Sequence, residues 1–221
     1  MNGLKKISLE AGDALAKHTG RMEIKSLTEL SSLPLAHKLA APKRELHLDG
    51  LESLSPEVAA ILVTNRGAFE DRSRTGVVFR RRDRAASVLR FTNLASLNLG
   101  TAKALSKHSG VLVLNGLETI SPDVAAVLAK RDGGTLVLNG LLELSPETAK
   151  ALATYSGEIA LKALGELSVD CAKVLSTHRH KLYLNGPTEI SPVALKFIRK
   201  HPNVRLATEA GIKKLEEQNS K

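Results

Sequence analysis

The 221-residue chain is poor in aromatic side chains, at 3%, and has no tryptophan. A core without large rings has to be assembled from Leu, Ala, Val and Ile, which suits thin stacked layers better than one wide globule. Cysteine is almost missing too: Cys171 stands alone, which excludes an internal disulfide and makes a reducing, cytoplasmic location the expectation. No apolar run approaches the roughly 18 residues of a spanning helix, so membrane insertion is not expected. The opening residues, MNGLKKISLEAG, lack the continuous apolar stretch of a secretory signal. Also missing are a glycine-rich phosphate loop, a zinc-ligand spacing and a hydrolase elbow, so neither a cofactor nor an enzymatic activity is expected.

What the sequence does have is repetition. LVLNGLETISPDVAAVLAKRDGG, Leu112 to Gly134, is followed at once by LVLNGLLELSPETAKALATYSG, Leu136 to Gly157. Related segments begin at Arg21, Glu45, Val88, Val111, Thr135, Glu158 and Lys181, at spacings of 24, 43, 23, 24, 23 and 23 residues. A fixed period of this length signals a stacked architecture. The 43-residue interval is nearly two units, and Ala68 to Ser87 within it reads as either a degenerate repeat or an inserted loop. Asn2 onward matches the unit from Asn115 onward and lacks only its strand, a start within a repeat that suggests a piece of a larger protein.

Each unit opens with period-2 alternation. In VLVLNG, Leu112 and Leu114 face one way and Val111 and Val113 the other, a short strand. Asn-Gly or Asp-Gly then turns the chain, at a corner where glycine's tolerance of positive φ is expected to matter. Ser-Pro-acid follows, as in Ser121-Pro122-Asp123: an N-cap, a first helical residue and a carboxylate near the positive helix end. The helix lasts about two turns and stops near glycine. Neither a helix this short nor a lone four-residue strand is stable by itself. Stacking resolves this, and the expected fold is α/β: a right-handed solenoid of short parallel strands and short helices, with about eight recognisable repeats over residues 1–207. Residues 208–221 read as a polar capping helix or tail.

The unit LxLNGLxxLSPExAxxLA resembles a leucine-rich repeat of an atypical, alanine-rich bacterial kind, similar to the tandem arrays of planctomycete-type proteins. The resemblance covers most of the chain apart from Ala68 to Ser87 and the last dozen residues. It implies a binding scaffold that presents a concave sheet face to a protein or peptide.

Several chemistry-bearing residues fall on repeat positions. His18, His108, His178 and His201 share one place after the helix with Arg131 and Tyr155, where a cation or ring donor would satisfy the last helix carbonyls. A ligand set would not survive those exchanges, so no metal site is expected from them or from His178-Arg179-His180. Cys171 takes the helix position of Thr148 and Val124 and reads as a packed thiol. Glu57, Asp123 and Glu147 repeat in the first helical turn, where they complement the dipole.

Two features remain as candidate sites. The outward strand positions Val111, Val113, Val137, Ala160 and Tyr183 predict a contiguous apolar stripe, bare on the concave face. It would be flanked by Glu23, Glu45, His47 and Arg90 on one side and by Lys181 and Arg205 on the other. Such a patch suits a protein or peptide partner, with Tyr183 as anchor. The second is FRRRDR, Phe79 to Arg84, in a stretch with a surplus of four positive charges between Phe69 and Arg90, nearly half the net charge of +9. Arg80, Arg81, Arg82 and Arg84 could bind phosphates, so nucleic acid is the alternative partner.

Overall fold

The structure, a computed structural model, describes residues 4–19, 24, 26–41, 46–64, 87–184 and 189–206. The first two helices are α1 (Leu9–Ala16) and α2 (Leu33–Leu39). Strands and helices then alternate as β1 (Leu46–His47), α3 (Pro56–Leu62), β2 (Val88–Phe91), α4 (Leu99–Leu105), β3 (Val111–Leu114), α5 (Pro122–Leu128), β4 (Thr135–Val137) and α6 (Pro146–Ala153). The rest are β5 (Glu158–Ala160), β6 (Glu166–Leu167), α7 (Val169–Leu175), β7 (Leu182–Leu184), β8 (Glu189–Ile190), α8 (Pro192–Ile198) and β9 (Val204–Leu206). The fold is α/β. Seven strands form one parallel sheet in the order β1-β2-β3-β4-β5-β7-β9, and β6 pairs with β8 in a separate parallel ribbon. Helices pack in chain order, each against the next from α1 to α8.

Every one of these helices starts on a side-chain cap. Ser8, Ser32, Ser55, Asn98, Ser121, Ser145, Ser168 and Ser191 each accept a hydrogen bond from the backbone N–H three residues on. Proline follows directly at Pro56, Pro122, Pro146 and Pro192, with its φ already helical and no N–H to leave unanswered. Caps of this type are worth about 1 kcal/mol each, enough to fix where a two-turn helix begins but not to hold it. What holds it is burial. Val124, Ala125 and Leu128 of α5 join Leu112 and Leu114 of β3 in one apolar core that continues through the equivalent residues of every unit.

The Asn-Gly corners have a different cause from the one expected. Among the described residues the glycines with positive φ are Gly133 and Gly134, at 67° and 77°, which turn the chain between α5 and β4. At Gly116 and Gly140 the constraint is space. A Cβ at Gly116 would strike the backbone of Asn93 and Leu94, and one at Gly140 the carbonyl of Asn115. Each corner glycine thus lets one unit close on the backbone of the unit before it. The preceding asparagine helps: the Asn115 side-chain oxygen accepts from the Asn139 N–H at 3.3 Å. The ladder stops there, since the Asn139 side-chain oxygen is buried with no partner and the next unit has Lys162 at that place.

β1 pairs directly with β2, Leu46 opposite Leu89 and His47 opposite Arg90, and α3 packs on α4. The strand start expected at Arg21, most of Ala68 to Ser87 and the tail at 208–221 fall outside the described residues.

Candidate functional site

The sheet has two faces. One carries Leu89, Phe91, Leu112, Leu114, Leu136, Leu138, Ile159, Leu161, Leu182 and Leu184 into the helix-covered core. On the other, the pairing register lines up one residue from each strand after β1: Arg90 opposite Val113, Val113 opposite Val137, Val137 opposite Ala160, Ala160 opposite Tyr183, and Tyr183 opposite Arg205. Five strand spacings of about 4.8 Å make this row roughly 24 Å long. The expected stripe is therefore contiguous. Val111, Val113, Val137 and Ala160 form their own apolar cluster, with Val88 and Tyr183 packed at its borders.

The stripe is not bare, however. Val111 is 4% exposed, Val113 1%, and Val137 and Ala160 0%. The four side chains pack on one another in a single cluster, a contact that β-branched residues favour on a pleated surface. The accessible atoms of the row belong to its ends, to Arg90, Tyr183 and Arg205.

Those ends are organised by hydrogen bonds. Arg90 grips Asp49 with two, Nε to Oδ1 at 2.8 Å and Nη2 to Oδ2 at 2.6 Å, and Thr92 donates to the Asp49 carbonyl at 3.1 Å. At the other end Lys181 pairs with Glu158, and the Tyr183 hydroxyl donates to the same carboxylate at 3.4 Å. Burial, reinforced by Glu158, pushes the Tyr183 phenol above its ordinary range. Arg205 is exposed at the edge of the sheet. Of the flanking charges expected from the sequence, Glu23, Glu45 and the His47 side chain lie outside the described residues, as do Arg80, Arg81, Arg82 and Arg84.

From α4 onward the repeated position after the helix forms a buried column, whereas His18, at the same position after α1, is exposed. His108, Arg131, Tyr155, His178 and His201 are each 1–3% exposed. The side chains of His108, Arg131, Tyr155 and His178 bond carbonyls of earlier units, where the sequence suggested those of their own helices, whereas His201 accepts from the backbone N–H of Asn203. Arg131 donates from Nε to the His108 carbonyl at 3.0 Å and from Nη2 to that of Gly110 at 2.6 Å. Its Nη1 donates to the Tyr155 hydroxyl at 3.0 Å, and that hydroxyl passes its own proton to the Gly133 carbonyl. Burial and the Arg131 charge lower the His108 imidazole to about 4. This column was legible only as a cap position. The alternation of residue types is what points to an inter-unit role.

Cys171 is a packed thiol, as its position predicts. Its Sγ donates to the Leu144 carbonyl at 3.1 Å, as Thr101 Oγ1 donates to that of Leu54 at 2.8 Å in an earlier unit, and burial pushes the thiol upward. Among the described residues no group of three His, Cys, Asp or Glu side chains is placed to hold a metal ion, and no helix is long and apolar enough to cross a membrane. An open hollow of about 450 Å³ on α8 is lined by Pro192, Val193, Lys196, Phe197 and Lys200, a set without a nucleophile–base pair. No protein-family model matches the chain, and a search of curated proteins finds no match.

Proposed function

We propose that the chain is a non-enzymatic binding scaffold, a leucine-rich-repeat-like solenoid that engages a protein or peptide on the sheet face opposite its helices. The observation that carries this reading is the single register row from Arg90 through Val113, Val137 and Ala160 to Tyr183 and Arg205. The buried valines serve as a rigid floor. Recognition falls to Tyr183, Arg205 and the ion-paired groups at the row's ends, which combine an amphipathic ring with directional charge. Strand-to-strand packing preorganises these groups, so little ordering entropy is spent when a partner docks.

The test compares two variants as bait in lysate of the source cell. Tyr183→Ala with Arg205→Glu alters the row, and Lys130→Glu with Lys173→Glu alters the helix side. A specific partner held by the wild type and the helix-side variant should be lost from the row variant. Equal recovery by all three would show the reading to be wrong.

A further inference from the structure

His178 and His201 occupy successive rungs of the buried column, with ring centroids 5.9 Å apart and planes 30° from parallel. Their hydrogen bonds fix opposite tautomers. His201 Nδ1 accepts from the Asn203 backbone N–H at 3.0 Å, which places a lone pair on Nδ1 and the ring proton on Nε2. His178 Nδ1 faces the Ala153 carbonyl at 3.4 Å and can only donate to it, which leaves the lone pair on Nε2. Both Nε2 atoms are buried without a partner. Asn203 also supplies the first link of β9 to the sheet, since its carbonyl accepts from the Leu182 N–H at 3.3 Å.

We propose that this pair is an acid-operated clasp on the last strand: while neutral it holds β9 against β7, and on protonation it lets that strand go. A proton on His201 must enter at Nδ1, where it meets the Asn203 N–H and turns a donor–acceptor bond into two opposed donors. His178, whose ring is bonded to the Ala153 carbonyl and lies near that of Gly157, adds a second charge beside the His201 ring when it is protonated. Backbone carbonyls of Ala153 and Gly157 beside His178, and of His178 beside His201, offset the charge only in part, and burial outweighs them. His180 places its ring 5.9 Å from that of His178, Lys200 lies over the Phe197 ring on α8, and the hydroxyl of Tyr155, one rung earlier, is committed to Arg131 and Gly133. Burial lowers both imidazoles below the ordinary histidine range, and His201 and His180 push His178 further the same way. The clasp is thus fully closed above pH about 6.5, the unfolded value, and its contribution is lost as pH falls through the folded values.

Amide hydrogen exchange of the full chain, corrected for intrinsic rates, reads the clasp strand by strand. Between pH 7 and pH 5 protection at Leu184 and Arg205 should fall, while Leu136 and Val137 keep theirs. Unchanged protection in β9, or a parallel loss in β4, overturns the proposal. His201→Gln supplies a non-titrating acceptor for Asn203 and should keep β9 protected at both pH values; a pH dependence that survives in this variant counts equally against the clasp. Nitrogen shifts of the wild-type imidazoles at pH 7 give a check that needs no variant: His201 must carry its proton on Nε2 and His178 on Nδ1, and the reverse assignment overturns the mechanism.

Discussion

The guanidinium of Arg131 donates to the hydroxyl of Tyr155 at 3.0 Å, across 24 residues of sequence and inside the protein, with Arg131 1% and Tyr155 2% exposed. Two residues that replace histidine at the same repeat position thereby join three successive units, because Arg131 also holds the His108 and Gly110 carbonyls. Burial makes the guanidinium easier to deprotonate and the phenol harder, each partly offset by the other group.

Tyr155→Phe should leave Arg131 Nη1 and the Gly133 carbonyl unanswered, at a cost of about 1–3 kcal/mol in urea denaturation. Arg131→Met should cost more, since it strands two backbone carbonyls and the hydroxyl. The double variant should fall short of the sum by about 0.5–3 kcal/mol, the signature of a shared network. Strict additivity would mean that the two side chains act independently.

His108 should make stability depend on pH in one direction. Its imidazole, lowered from 6.5 to about 4, is neutral in the native state, so between those values the unfolded chain binds more protons. Stability therefore rises with pH through this window, and what is present above pH 6.5 is lost progressively as pH falls toward 4. The full effect is on the order of 3 kcal/mol, from 1.36 kcal/mol per pKa unit. His108→Gln keeps a donor for the Ser87 carbonyl and should flatten that part of the curve. An unaltered slope would assign the pH dependence elsewhere.

Leu114 tests how far damage spreads. It is fully buried in the common core, and Leu114→Ala should cost about 2–5 kcal/mol. Since the helices pack on one another in chain order, amide exchange should rise first from Val111 to Gly157, and an even rise along the whole chain would argue against modular stacking.

The valines on the opposite face teach a related lesson about what a sequence reveals. Alternation in VLVLNG and its relatives was enough to place Leu112 and Leu114 in the core, to orient Val111 and Val113 away from it and to bring Tyr183 onto the same face, because side-chain direction in a strand has period 2. Ser-Pro-acid likewise located the helix starts, since the cap is a local hydrogen bond. Burial of the valines was not legible, because it depends on neighbours 23 residues away in the chain. The Gly116 and Gly140 corners were misread for the same reason: the clash that demands glycine comes from the preceding unit. The histidine position was read as an end of its own helix, and its bonds to other units needed coordinates. One consequence concerns Val113→Asp with Val137→Asp. On a bare stripe these changes would leave the fold intact, but at 1% and 0% exposure they bury two carboxylates without partners. Loss of the cooperative thermal transition is the expected result, and a double variant with wild-type melting would show that this face opens readily to water.

The interval before β2 allows the architecture to be tested by subtraction. Between α4 and β3 the chain needs five residues, Ser106 to Gly110, whereas between α3 and β2 it has 25, Val63 to Ser87. Excising residues 67–86 leaves five there as well, and β1 already pairs directly with β2. Shortening the connection fivefold reduces the closure entropy by about 1.4 kcal/mol. The shortened chain should therefore keep its circular dichroism spectrum and melt at the wild-type temperature or a few degrees above it. It also loses six arginines and three acids, so net charge falls from +9 to +6. If Arg80, Arg81, Arg82 and Arg84 bind phosphates, affinity for mixed-sequence nucleic acid and its salt dependence should drop together, whereas partner binding on the sheet face should survive. A shortened chain that fails to fold would mean that the segment contributes packing the rest of the sheet requires, and the unit-by-unit account of the fold would have to be redrawn around it.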